Sequence, residues 1–526
     1  MLDLHLTTTI RDSHVAGLAR AQVSSVNFIL VSLAGLGFVG HMLVAGNYGY
    51  FRDELYYIAA GHHLALGYVD FPLLTAALAR LMFLLAGDSL VAIHLIPALA
   101  NAFLILVTGL TARELGGRRL AQALAATASL VCLTFLATGS IFSMDSLDEL
   151  WWALIAYLLV PLIRRDQPRL WLLIGAVVGV GMLTKVTVLF FLAALLLGLL
   201  GTPARREFKS RWIWLGMGVA LAGLVPYLAW EVQTGWPSLS YWHNYVGTLV
   251  NHSLLNFIAQ QVYVMNPLTL PLWLGGEIWL LRGGAGPRLR ALGLAFAVLF
   301  VWFGLGPSKS YYLAPAYPFL FAAGAVWLAP KLSRMGRIWP GTSYLGLMAV
   351  SGILLAPVAM PILPPATFAA AYGFLGTDGG AQMQRHDGAP LPQWLADRFG
   401  WISLTERVAQ AVDQLPPPER RASCIFTANY GEAAALDFLG RSQHLPPAIS
   451  GNNSFYFWGP GRCSGQAIIT VGLPRSQVLR SFATVEVVGT TSCGFCMPGE
   501  NGLPILRATS PKRSIPALWK SVENLS

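Results

Sequence analysis

From position 27 to about 365 the chain alternates long apolar runs with short polar connections. Each run approaches the ~20 residues that an α-helix needs to cross ~30 Å of hydrocarbon. The runs predict eleven membrane spans, at 27–46, 90–111, 120–139, 143–162, 168–184, 186–202, 212–230, 267–281, 291–305, 310–329 and 343–363. The first is expected to be a retained helix rather than a signal peptide, from its length and from the spans that follow. Between the first two runs, 55–66 and 73–85 have helical periodicity but are short for spanning. They read as amphipathic helices lying in the membrane interface, separated by the breakers Gly67, Asp70 and Pro72.

Past about 365 the pattern changes. Segment 404–415 reads as an amphipathic helix, and 424–427, 467–471 and 485–488 read as short buried strands. Segments 432–439 and 475–482 read as helices between them, and 446–461 as loop. The expectation is a polytopic α-helical membrane domain, 1–365, followed by a small α/β domain, 366–526. No internal repeat is visible, so inverted-repeat transporter folds gain no support.

Composition agrees. The 526 residues are 55% hydrophobic and 11% charged, against about 25% charged in soluble domains. The net charge of +10 does not imply nucleic-acid binding, because the basic residues sit in short loops. These are Arg113, Arg118 and Arg119; Arg164, Arg165 and Arg169; Arg205, Arg206, Lys209 and Arg211; Arg282, Arg288 and Arg290; and Lys331, Arg334 and Arg337. Every second loop is basic, which assigns these loops and the N-terminus to the cytoplasm; they can also touch anionic membrane lipids. The opposite face then collects Asp53, Glu54, Asp145, Asp148, Lys185, Glu231 and Lys309, and it carries the whole C-terminal region. Of five cysteines, Cys132 lies in an apolar run, while Cys424, Cys463, Cys493 and Cys496 fall in the C-terminal region. An oxidising compartment would permit a disulfide among those four, with the pairing open. The Cys493–Cys496 spacing alone does not make a metal site.

The acidic pair Asp53-Glu54 opens the first interfacial helix. One reading is a base or metal ligand at the membrane edge; the other is a solvated pair favoured by the helix dipole. Asp145 and Asp148, spaced i, i+3, share a helix face and could hold a divalent ion with Asp53 or orient a hydroxyl. Metal dependence stays open, and no other cofactor is called for. Lys185 and Lys309 lie on the outer face against the charge bias, which suits clamping a lipid phosphate. Tyr311, Tyr312 and Arg52 are further phosphate partners, and His62 lies on the same interfacial helix as Asp53. No zinc-protease, phosphate-loop or dinucleotide motif occurs.

The stretch RDELYYIAAGHHLALGYVDFPLLTAALARL resembles the first-loop signature of lipid-linked-sugar glycosyltransferases with the GT-C fold, the bacterial branch related to aminoarabinose transferase and protein O-mannosyltransferase. The resemblance continues through FSMDSLDELWWALIAYLL, GVGMLTKVTVLFF, WEVQTGWPSL, KSYYLAPAYPFLFAAGAV, NYGEAAALDFLG and SGNNSFYFWGPG. It implies a polyprenyl-phosphate sugar donor and an envelope lipid, glycan or protein acceptor. Transfer would occur on the outer face of the bacterial inner membrane, with inversion at the anomeric carbon. Asp53 would be the catalytic carboxylate, with Glu54 and Asp145 orienting the acceptor or holding a cation. Lys185, Lys309, Tyr311, Tyr312 and Arg52 would meet the donor phosphate, and His62, Asp70, Asp148 and Glu231 would line the acceptor or sugar pocket. The rival is a transporter or flippase, with the same charges lining a pathway. A second rival is a non-catalytic relative that scaffolds envelope assembly.

Overall fold

The computed structural model describes residues 28–248, 253–333, 339–373 and 389–526. Helix α1 covers Phe28–Val44, followed by α2 (Arg52–His62), α3 (Leu73–Ala86), α4 (Leu90–Glu114), α5 (Arg119–Leu130) and α6 (Leu133–Thr138). Then come α7 (Met144–Arg164), α8 (Leu170–Thr184), α9 (Val188–Leu200), α10 (Arg211–Thr234), α11 (Pro237–Thr248) and α12 (Leu254–Val264). The helical part closes with α13 (Leu270–Leu281), α14 (Arg290–Leu305), α15 (Tyr317–Ser333), α16 (Trp339–Ala359) and α17 (Pro365–Tyr372). Each expected span overlies helix. Among the described residues five helical segments are long and apolar enough to cross a membrane: Leu90–Glu114, Met144–Arg164, Arg211–Thr234, Ser310–Ser333 and Trp339–Ala359. The expected span 120–139 is broken into α5 and α6 at Val131-Cys132. The span at 310–329 starts with a 3-10 segment, Ser310–Ala316, that contains Pro315, since proline cannot supply the helical N–H.

Small residues let these helices approach. A Cβ at Gly175 of α8 would lie 2.1 Å from the Gly216 carbonyl oxygen of α10, and one at Gly324 of α15 would lie 1.8 Å from the Leu272 carbonyl of α13. Such backbone contact is how apolar helices pack where no water drives them together.

The basic loops converge on one end of the bundle and cross-link there. Arg165 pairs with Glu114 at 2.5 Å, Arg288 with Glu207 at 2.7 Å and with Asp166 at 3.0 Å, and Arg206 also pairs with Asp166. Arg334 and Arg337 lie outside the described residues.

The C-terminal part contains a five-stranded sheet in the order β2-β1-β3-β5-β4, with strands Ser423–Thr427 (β1), Ala448–Ser450 (β2), Ala467–Val471 (β3), Phe482–Thr490 (β4) and Pro504–Pro511 (β5). β2, β1 and β3 are parallel, and β5 joins β3 and β4 antiparallel. The segment 446–461, expected as loop, instead holds β2 and a short helix, Ser454–Trp458. β2 is a three-residue strand, too short to register as a periodicity. β5 has no expected counterpart; it begins and ends on Pro504 and Pro511, positions at strand ends where proline is tolerated. Cys424 and Cys463 form a disulfide, while Cys132, Cys493 and Cys496 are free.

The sheet does not stand apart from the membrane helices. Leu55, Tyr56 and Ala59 of α2 share one buried core with Ala433, Leu436 and Phe438 of the helix Tyr430–Leu439, and with Ile425 and Ile469 of the sheet. Burial of apolar area, worth about 25 cal/mol per Å², thus seats the C-terminal part directly on α2, the helix that carries Asp53.

Candidate functional site

The site is built where α2 starts. Phe51 is the extended residue before the helix, and the Glu54 carboxylate accepts from its backbone N–H at 2.8 Å. The two acidic neighbours then diverge, because successive side chains on an α-helix point about 100° apart. Asp53 remains about one-third exposed. Glu54 is fully buried and also accepts from His94 Nε2 at 2.8 Å and from the Phe142 N–H at 2.6 Å. Burial alone would raise the Glu54 carboxyl; the charge and hydrogen bond of His94, with Arg398 and the Phe51 N–H, outweigh it and hold it below the ordinary glutamate range. The expectation that Glu54 orients the acceptor or holds a cation is therefore corrected. Its oxygens are committed to tying α2 to α4 and to the start of α7.

Asp53 is instead met from the C-terminal part. The Tyr430 hydroxyl donates to Asp53 Oδ1 at 2.8 Å. Tyr430 opens its helix, which is capped by Asn429 and Glu432 in a reciprocal box, and its ring lies 4.6 Å from Tyr56. Arg52 approaches Asp53 at 3.5 Å and the buried Asp397 at 3.7 Å, with its guanidinium 5.6 Å from the Tyr430 ring. Arg52 thus faces two carboxylates, and among the described residues its Nε makes no hydrogen bond.

Asp145 is one-quarter exposed and accepts from Lys185 Nζ at 2.5 Å. Burial, then the charges of Asp53, Asp70 and Asp145, pushes the nearby Tyr57 phenol well above its usual range. Lys185 also sits 5.4 Å from the Tyr312 ring. The Tyr312 and Tyr245 hydroxyls are 3.2 Å apart, and Lys309 lies 5.3 Å from the Tyr245 ring and 5.9 Å from that of Tyr311. Lys309 is buried, and among the described residues no carboxylate lies within 4 Å of its ammonium. Lys185, Lys309, Tyr245, Tyr311 and Tyr312 form one cationic, hydroxyl-bearing wall beside Asp145.

The remaining expected residues divide. Asp70 accepts from the Tyr56 hydroxyl at 3.0 Å. Burial, then the nearby charge of Asp53, raises its carboxyl to about 7 against the hydrogen bond from Tyr56. Asp148 shares that helix face with Asp145 but is buried, and its carboxylate accepts from Trp152 Nε1 at 2.9 Å and Thr187 at 2.7 Å rather than from Lys185. Glu231 is buried at the end of α10, where it accepts from the Ser238 hydroxyl. His62 stands nine residues beyond Asp53, about 14 Å along the helix, and is not part of the site. Among the described residues no group of three or more His, Cys, Asp or Glu side chains is arranged to hold a metal ion. Reasoning from the chain alone missed Tyr430, Asp397 and Tyr245. The first sits in the quoted stretch NYGEAAALDFLG, but nothing local signals that its phenol reaches back 377 residues.

The raised Asp70 carboxyl has a measurable sign. A folded-state value of about 7 against about 3.9 for a free aspartate means that the folded state binds the proton more tightly. Stability is then expected to fall as pH rises from about 4 to about 7. Asp70→Asn should flatten that slope in thermal unfolding measured across this range; an unchanged slope would count against the assignment.

The family described as dolichyl-phosphate-mannose-protein mannosyltransferase matches residues 70–230. The lipid A galacturonosyltransferase RgtD of Rhizobium johnstonii is 28% identical over 270 residues, covering 49% of this chain and 56% of RgtD. The chain thus spans about half the length of that curated relative. Among solved structures, ArnT from Cupriavidus metallidurans bound to undecaprenyl phosphate superposes with a TM-score of 0.58 at 15% identity, and its apo state with 0.60 at 17%. Each comparison covers 91% of this chain and 97% of ArnT. These likenesses establish a shared fold, the GT-C arrangement, in a membrane protein.

Proposed function

We propose that this GT-C-fold membrane protein is a glycosyltransferase that moves a monosaccharide from a polyprenyl-phosphate donor to an envelope acceptor, with inversion at the anomeric carbon. The observation that carries the reading is the buried Lys309, with no carboxylate within 4 Å among the described residues, in one wall with Lys185 and three tyrosines, together with the partly exposed Asp53. A phosphate seated there would have two ammonium groups and phenol hydroxyls facing the oxygens on which charge grows as the sugar–phosphate bond breaks. Asp53, with Oδ1 held by Tyr430, keeps Oδ2 to take the proton of an acceptor hydroxyl. That hydroxyl attacks C1 from the side opposite the phosphate; the C1–O(phosphate) bond breaks and the phosphate leaves as the polyprenyl phosphate. Asp145, paired with Lys185, sets the position of that ammonium. Asp70, near neutrality in its own titration, lines the acceptor side.

A lipid acceptor is favoured over a glycan or protein by the relative RgtD, a lipid A galacturonosyltransferase, and the undecaprenyl phosphate held in one ArnT structure supports a polyprenyl-phosphate donor. Eleven spans, cytoplasmic basic loops and an extracytoplasmic C-terminal domain from 366 to 526 complete the proposal. The ion-paired basic loops at the opposite end of the bundle support that orientation. The test is reconstitution with a panel of radiolabelled polyprenyl-phosphate sugars plus lipid, glycan and protein acceptors. Label attached covalently to an acceptor is the expected result. Labelled donor that merely crosses the bilayer intact would instead establish the transporter reading.

Tyr430→Phe keeps the ring on Tyr56 but removes the hydrogen bond to Asp53. Hydrogen bonds to charged groups are worth about 1.5–3 kcal/mol, so kcat should fall about tenfold or more, with the donor KM unchanged. Equal loss in KM would mean that Tyr430 binds donor instead.

A further inference from the structure

A second cationic cluster lies at the far end of α2 from Asp53, between α2, α3 and the turn at Arg441. Arg80 Nη1 of α3 stands 3.0 Å from His62 Nδ1, and Arg441 Nη1 stands 3.2 Å from His62 Nε2. Two guanidinium donors therefore approach both nitrogens of one imidazole. A neutral imidazole has a single lone pair and an imidazolium has none, so at least one guanidinium N–H faces no acceptor on this ring. Compensating charge is sparse. Among the described residues Arg441 has Asp437 at 3.9 Å, and Arg80 has no carboxylate within 4 Å. Burial, the largest cause, then Arg441 and Arg80, with a smaller effect of His63 and against Asp88, holds the His62 imidazole down to about 4. The flanking surface is apolar. Leu64 and Leu66 follow the histidines, and Leu81, Leu84 and Leu85 follow Arg80 on α3; all five are exposed.

We infer that Arg80, Arg441 and His62 form a binding site for the phosphate headgroup of an anionic membrane lipid, with its acyl chains lying against Leu64, Leu66, Leu81, Leu84 and Leu85. Phosphate oxygens accept from planar guanidinium forks and from the imidazole N–H together, the arrangement that arginine geometry favours. The leucines continue the site into hydrocarbon, so the occupant is a lipid and not free phosphate. The site is separate from the Asp53 chemistry. It would pin the α2–α3 hairpin, and the C-terminal turn at Arg441, to the bilayer surface.

The test is native mass spectrometry of the full-length protein after exchange into phosphatidylglycerol or into phosphatidylcholine with the same chains. Each arginine near an anionic lipid surface is worth about fivefold in affinity, so Arg80→Gln with Arg441→Gln should lower phosphatidylglycerol retention about thirtyfold. Phosphatidylcholine retention should not change. Arg441→Ala, at an exposed turn position, should lower it about fivefold on its own and serves if the double variant fails to fold. Equal retention of both lipids by the wild type, or unaltered phosphatidylglycerol retention in a folded variant, would overturn the site. Displacement of the lipid by millimolar inorganic phosphate would overturn the part assigned to the acyl chains.

Discussion

Asp53→Asn should reduce sugar transfer by about 10²–10⁴-fold in kcat, the range for removing a general base, while leaving donor binding and thermal stability near wild type. Asparagine is isosteric and can still accept from Tyr430, so the 2.8 Å contact and the local fold survive; what disappears is the capacity to take a proton. Asp53 is partly exposed, so no buried partner is orphaned by the change. The readout is single-turnover transfer with bound donor, alongside a donor-binding measurement. Full activity in Asp53→Asn would remove Asp53 as the base and leave a phosphate-bearing acceptor, which needs none, or the neighbouring Asp145. Loss of donor binding together with activity would recast Asp53 as part of the donor site.

Glu54→Ala should act on the other axis. It leaves His94 Nε2 and the Phe142 and Phe51 N–H groups buried without their acceptor. Breaking a buried charge pair by removing one partner costs about 3–5 kcal/mol, a large part of the 5–15 kcal/mol that keeps a typical domain folded. The expected outcome is poor recovery of monodisperse protein and a marked drop in unfolding temperature. Removing both partners, Glu54→Leu with His94→Leu, should recover part of the loss, because an unpaired buried group costs more than an absent pair. The pH sign runs opposite to that of Asp70. A carboxyl held below its ordinary value contributes stability that is complete above about 4.3, the free glutamate value, and is lost as pH falls through the lower folded value. A Glu54→Ala protein as stable as wild type would show that the His94 pair contributes nothing net.

These two adjacent carboxylates also show how far the sequence can be read. Asp53 and Glu54 look equivalent in the chain: both are acidic, in the first turn of a helix, at the lip of a span. Their roles part because the helix turns about 100° between them and because Glu54's partners come from positions 94 and 142. Asp145 and Asp148 part in the same way, one toward Lys185 and the other toward Trp152 and Thr187. Spacing placed both on one helix face, and only the packing of α7 against its neighbours selected which carboxylate reaches the pocket. His62 illustrates the converse error, since sharing a helix with Asp53 does not place it in the same site when the helix is eleven residues long.

By itself the sequence determined the membrane class, the helical segments, the pair of short helices α2 and α3, and the alternation of basic loops. These follow from apolar length and from charge, which are local quantities that the bilayer imposes on any chain. The motifs also carried the fold resemblance. The tertiary structure alone decided which carboxylate is offered and which is buried, the wall of lysines and tyrosines drawn from α8, α11 and the turn before α15, and the delivery of Tyr430 to Asp53. These depend on side chains that meet across tens to hundreds of residues, where helix rotation and core packing, rather than local pattern, fix each direction.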